Sequence, residues 1–159
     1  METKKLVKLA IVASLYFVLT VGLAPISYGS FQFRVSEVMT LLAFIDPFYI
    51  PGLVLGTVLA NLFSPLGFID VIFGTVATFI SVFMMSRTKN IFLASLWPVV
   101  VNGVIIGIEL FIMFGIPLVI GMTEVAIGEF VVVSIVGVII FKYGILNNPR
   151  VLDILKNNK

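Results

Sequence analysis

Apolar residues run along this chain in blocks about the length of a membrane helix, cut by short clusters of Pro, Gly, Asp, Asn and charge. Taking the breakers as joints gives six segments, 6–24, 36–45, 48–64, 67–86, 91–113 and 117–141. The joints are Pro25 to Gly29, Asp46–Pro47, Ser64–Pro65, Arg87 to Asn90, and Gly115 to Pro117. The pattern predicts an all-α polytopic membrane protein. A full span needs ~20 residues, so the second segment has to tilt or sit only partly through the bilayer. Fusing 36–64 into one kinked helix would give five spans instead.

Charge decides between the two counts. With six spans and the N-terminus inside, Lys4, Lys5, Lys8, Arg87, Lys89, Lys142, Arg150, Lys156 and Lys159 all fall on the cytoplasmic side, and only Arg34 falls outside. Five spans would move Arg87, Lys89 and the tail across. The asymmetry predicts six transmembrane helices with both ends in the cytoplasm. The tail from Asn147 to Lys159 reads as a basic amphipathic piece on the inner surface.

Composition agrees with lipid as the solvent. Sixty per cent of the residues are hydrophobic, 11% are charged, and mean hydropathy is +1.22. So little charge cannot cover a soluble domain of 159 residues. One integral membrane domain over 1–159 is expected, with the basic start leading into a retained first span rather than a cleaved signal. The chain has no Cys and no His, which removes disulfides and argues against a transition-metal site. No phosphate-cradling loop and no nucleophile paired with a base occurs, so no enzyme, resident cofactor or nucleic-acid partner is expected.

The rare polar residues can be placed by depth, and no carboxylate falls within the inner half of a span. Arg34 and Glu37 lie at the outer mouth of the second segment, Asn61 near the outer end of the third, and Asp70 at the outer start of the fourth. Glu109 lies near the outer end of the fifth, with Asn102 nearly two turns deeper on the same face. In the last segment Glu124 lies roughly 10 Å below the outer end and Glu129 roughly 18 Å, about 140° apart around the helix. Carboxylates inside apolar helices face a cavity or a partner by default. Glu37 and Asp70 also sit in first turns, where the helix dipole alone favours them. Tyr28, Phe31 and Phe33 rim the mouth. The expectation is an acidic, amide-containing pocket for a flat, hydrogen-bond-donating, cationic small molecule, in a binding subunit rather than an autonomous transporter. Small residues at helical spacing, Gly52–Gly56–Ala60, Gly103–Gly107 and Gly74–Ala77–Ser81 beside Asp70, predict close helix packing.

The run from Gly29 to Glu37 (GSFQFRVSE), Gly52 to Gly56, Ala60–Asn61, Asp70 to Thr78, Pro98 to Asn102, and Gly128–Glu129 resembles the QueT-type queuosine-precursor transporters. These are S components, the substrate-binding subunits of energy-coupling factor (ECF) transporters. The resemblance covers nearly the whole chain. It implies a six-helix fold, uptake of a 7-deazaguanine such as preQ1 or preQ0, and partnership with an ECF coupling protein and two ATPase subunits. It also implies a coupling face on the first helix, where Ala10 and Ser14 match a small-residue pair best. For such a ligand, Glu129 and Asn102 would read a guanine-like edge, and Glu109, Asp70 or Glu124 would take an aminomethyl ammonium. Gln32 or Phe33 would touch the ligand. Arg34 and Glu37 would either pair to hold a lid or contact the ligand. Other readings are an S component for thiamine, a pyrimidine-like or a biotin-like vitamin, and a non-transport scaffold whose carboxylates only join helices.

Overall fold

The computed structural model describes residues 3–29 and 31–156. Ser30 of the GSFQFRVSE run, Lys159 and the other residues at the two ends lie outside the described residues. Every regular element among the described residues is helical. They are α1 (Thr3–Gly22), α2 (Val35–Ile45), α3 (Pro47–Asn61), α4 (Phe68–Arg87), α5 (Ile91–Phe114), α6 (Leu118–Leu146) and α7 (Pro149–Leu155), plus a single turn at Ala24–Ser27.

The joints work as their residues require. Asp46 is extended, with φ −154°, and accepts from the Phe48 amide at 2.9 Å, so α2 stops and α3 starts on Pro47. Asn90 caps α5 by accepting from the Phe92 and Leu93 amides. Gly115, at φ +68°, closes α5 in the left-handed conformation just ahead of Pro117.

Four helices, α1, α4, α5 and α6, are long and apolar enough to cross a membrane, while α2 and α3 are shorter apolar helices. Val35–Leu41 of α2 is a 3₁₀ helix, a tighter winding that lengthens the segment. The last helix departs from expectation, running to Leu146 instead of ending near 141. Lys142 ends the apolar run but leaves the backbone ladder intact; the real breaker is Asn147 to Pro149. From Phe130 to Gly137 and from Ile140 to Leu146 the ladder widens to π geometry, directly after Glu129.

Small residues set the packing. Gly52 lies against Leu9, and Gly56 against Ala13 and Tyr16, so α1 and α3 run parallel. Gly103 faces Ala126 and Gly107 faces Met122, so α5 and α6 run antiparallel. In lipid, where apolar burial drives little, such close approach supplies dispersion contact between helices. α2 packs on α1 and α6, and its last turn on α4; Leu41 and Ala43 are fully buried there with Tyr16, Leu53, Val82, Met85 and Val133. Pro98 breaks the α5 ladder, and the Ser134 hydroxyl of α6 donates to the nearby Ser95 carbonyl at 3.1 Å.

The two ends of the bundle differ. At one, Lys8 donates to the Ile154 carbonyl and Tyr49 to that of Leu155, fastening α7 beneath α1 and the α2–α3 corner. The other end carries the 28–34 loop and the α3–α4 and α5–α6 connections, and there the buried polar side chains collect.

Candidate ligand-binding site

Gln32, Arg34, Glu37, Asn61, Asp70, Asn102, Glu109 and Glu129 are each no more than 5% exposed. They come from five helices and one loop. Burial of this many polar groups among apolar helices is costly unless each finds a partner.

Arg34 organises the loop end. It donates through Nη1 to Asn61 Oδ1 at 3.2 Å and through Nη2 to Asp70 Oδ2 at 3.3 Å. Asn61 in turn donates to the Asp70 carbonyl at 2.9 Å, so α3, α4 and the loop are tied at one point. Tyr28 stacks its ring 5.6 Å from the guanidinium and donates to the Ala60 carbonyl at 2.6 Å. Burial by itself would lower the Arg34 pKa, but Asp70, then Tyr16 and Glu37, outweigh it and hold the pKa above its ordinary value. Arg34 therefore does not pair with Glu37 to hold a lid. It is extended just ahead of α2 and its side chain leaves toward α4.

Glu37 instead accepts from the Tyr16 hydroxyl of α1. Beside it the hydroxyls of Thr20 and Ser36 share a 2.6 Å hydrogen bond. Sequence reasoning missed Tyr16. Its signal was a lone polar-tipped aromatic within an apolar helix, four residues before Thr20 and on the same face.

Deeper in, Asn102 donates from Nδ2 to Glu129 Oε1 at 2.5 Å, joining α5 to α6. The rest of these groups is not satisfied. Glu37 Oε2, Asn102 Oδ1, Glu129 Oε2 and both oxygens of Glu109 have no hydrogen-bond partner among the described residues. Glu124 is half-buried and makes no hydrogen bond or ion pair among the described residues, so it does not join this set.

The loop lies directly on α6. A Cβ on Gly128 would run into the Phe31 carbonyl oxygen, so only glycine admits the loop here. Next in the chain, Gln32 is buried at φ +46°, an uncommon conformation for a non-glycine residue. Phe31 and Phe33 stack at 5.8 Å, with Phe33 half-buried. A cleft of about 120 Å³ opens at this end, bounded by Tyr28, Gln32, Asp70, Leu110 and Phe114. No group of three or more acidic residues among those described could hold a metal ion. Ala10 and Ser14 stand exposed on the outer face of α1, away from this site.

Membrane-length apolar helices around a buried acceptor cluster suit a transport protein, and the comparisons agree. The model of the QueT transporter family matches residues 6–144. This chain belongs to the QueT transporter family. The likeness carried by the GSFQFRVSE run and its companions is thus shown, and the family is one of transporters, not enzymes. Among curated relatives, the queuosine precursor transporter QueT of Lactococcus lactis subsp. cremoris (strain MG1363) is 42% identical over 81 residues, which is 50% of this chain and 47% of that protein. The match thus spans about half the length of that relative. No solved structure matches the chain significantly.

Proposed function

We propose that this chain is the substrate-binding S component of an ECF importer for a queuosine precursor, a 7-deazaguanine such as preQ1 or preQ0. It crosses the plasma membrane of a prokaryotic cell six times, as one domain, with both ends in the cytoplasm. An ECF coupling protein and two ATPases power it in trans, and the exposed Ala10–Ser14 face of α1 meets them.

One observation carries this reading. Acceptor atoms on Glu37, Asn102 and Glu129, all buried, converge from α2, α5 and α6 without donors of their own. A deazaguanine edge supplies adjacent N–H donors that a carboxylate takes side by side. The second N–H of the Asn102 amide is left to read the ring carbonyl. A scaffold whose acids only join helices would leave no such set, and Arg34 with Asp70 already makes that kind of join. Asp70 accordingly serves structure before ligand, and Gln32 and Phe33 close the site from above.

Thermal unfolding of the purified chain with preQ1, preQ0, queuine, guanine and thiamine tests the reading. A deazaguanine should raise the midpoint, by about 2.7 kcal/mol of stability at a hundred times its Kd. Thiamine alone doing so would point to another vitamin, and no effect from any compound would leave a scaffold. In liposomes the chain alone should bind but not concentrate its ligand.

A further inference from the structure

We propose that Tyr16 is a positioning residue for the ligand: its hydroxyl holds one oxygen of Glu37 so that the other stands fixed for an N–H of the bound ring. This rests on the binding role proposed above and adds to it a residue of α1, the helix that carries Ala10 and Ser14 on its exposed side.

Within the acidic cluster, Glu37 and Glu129 share one arrangement. Each is buried, accepts from a neighbouring side chain on one oxygen, and keeps its second oxygen without a partner among the described residues. Asn102 of α5 supplies the donor to Glu129 of α6, and Tyr16 of α1 supplies it to Glu37 of α2. Asp70 differs, with Arg34 3.4 and 3.3 Å from its two oxygens. Glu109 differs again, with neither oxygen partnered among the described residues. A carboxylate gripped by one oxygen has its other oxygen already aimed, so a ligand binding there orders nothing further.

Tyr16 is itself held still. It has no exposed surface. A Cβ on Gly56 would lie 2.8 Å from the Tyr16 Cβ, so the α3 backbone presses on the root of the side chain. Thr20, one turn on, donates to the Tyr16 carbonyl at 2.8 Å. With that end fixed, a tyrosine has only two torsions left to place its hydroxyl. The backbone of Glu37 is fixed as well, since its amide donates to the Arg34 carbonyl at 2.8 Å and its carbonyl accepts from the Thr40 hydroxyl at 2.6 Å.

Joining the two helices does not require the Tyr16 bond. Thr20 has one hydroxyl hydrogen and spends it on the Tyr16 carbonyl, so in the 2.6 Å contact of Thr20 with Ser36 the serine donates. That link already ties α1 to the first turn of α2, beside Glu37. A second tie that buries a carboxylate for the same purpose carries a desolvation penalty, and it leaves Glu37 Oε2 bare. An acceptor kept for the ligand accounts for both.

Calorimetry with preQ1 and preQ0 tests this through a double-mutant cycle on the purified chain. Tyr16→Phe keeps the ring and its packing and removes only the hydroxyl. It should weaken both ligands roughly tenfold, the scale of one hydrogen bond to a charged group. Glu37→Gln should weaken them at least as much. In the Glu37→Gln background, Tyr16→Phe should cost less than about twofold more, because no carboxylate is left to aim. Ser36→Ala cuts the neighbouring link between the same helices and spares the Tyr16 bond. It should lower the unfolding midpoint and leave both affinities within about twofold. Losses that multiply in the double variant would overturn the proposal, since Tyr16 would then act without Glu37. So would parent-like affinity in Tyr16→Phe, or a Ser36→Ala protein that binds as weakly as Tyr16→Phe. If Tyr16→Phe did not fold, parent-like binding by Glu37→Gln would still overturn it, as there would be nothing for Tyr16 to position. A parent chain that binds neither compound would instead overturn the proposed function, and this inference with it.

Discussion

Glu129 gives one carboxylate oxygen to Asn102 and keeps the other free, so a change there touches both the helix joint and the ligand edge. Glu129→Gln keeps the shape but turns one acceptor into a donor facing other donors. It should weaken deazaguanine binding by on the order of 2–4 kcal/mol, or roughly thirty- to thousand-fold, read by calorimetry. Asn102→Ala should lose less. Arg34 makes a contrasting case, since its loss leaves Asp70 buried without its cation. Arg34→Met should lower stability by about 3–5 kcal/mol in thermal unfolding, and adding Asp70→Leu should restore part of it, because the bare charge goes too. The buried acids were legible in the sequence because charge stands out within apolar runs. Their partners were not. Arg34 and Glu37 are three residues apart and invite pairing, yet the extended backbone at Arg34 sends its side chain toward Asn61 and Asp70.

The helices themselves were largely readable, and the reason is the same breakers that hold them. Asp46–Pro47, Asn90 and Gly115–Pro117 are caps and stops whose chemistry acts locally. Local winding was hidden, since neither the 3₁₀ turn of Val35–Leu41 nor the π turns after Glu129 leave a mark in hydropathy. Gly128 was visible only as part of a family motif. Its physical role is to let the Phe31–Gln32 backbone rest on α6. Gly128→Ala should push that loop off its seat at an overpacking cost of about 1–3 kcal/mol. We expect the deazaguanine off-rate, followed by stopped-flow, to rise, with the unfolding midpoint falling only modestly because the loop lies at the end of the bundle. An unchanged off-rate would mean that the loop does not cover the ligand.

For the whole molecule, basic residues and fold point the same way. Lys8 and the α7 backbone meet at the end opposite the acidic cluster. Reporter fusions after Asp46 and after Arg87 should both sit in the cytoplasm, and an outside signal at Arg87 would defeat the six-span reading. The short helices have a further effect on the surroundings. α2 is shielded from lipid by its neighbours over nearly all its length, so its length matters little to the bilayer. α3 is not shielded, since Leu55 and Leu59 are exposed along one side. Its three 3₁₀ and twelve α residues reach about 24 Å, against a hydrocarbon core of ~30 Å. In the proposed six-span arrangement, lipid beside that edge would have to compress by several ångströms, at fractions of a kcal/mol for each. The protein should therefore carry a dimple in the bilayer along α3, and be held more firmly by shorter acyl chains than by longer ones.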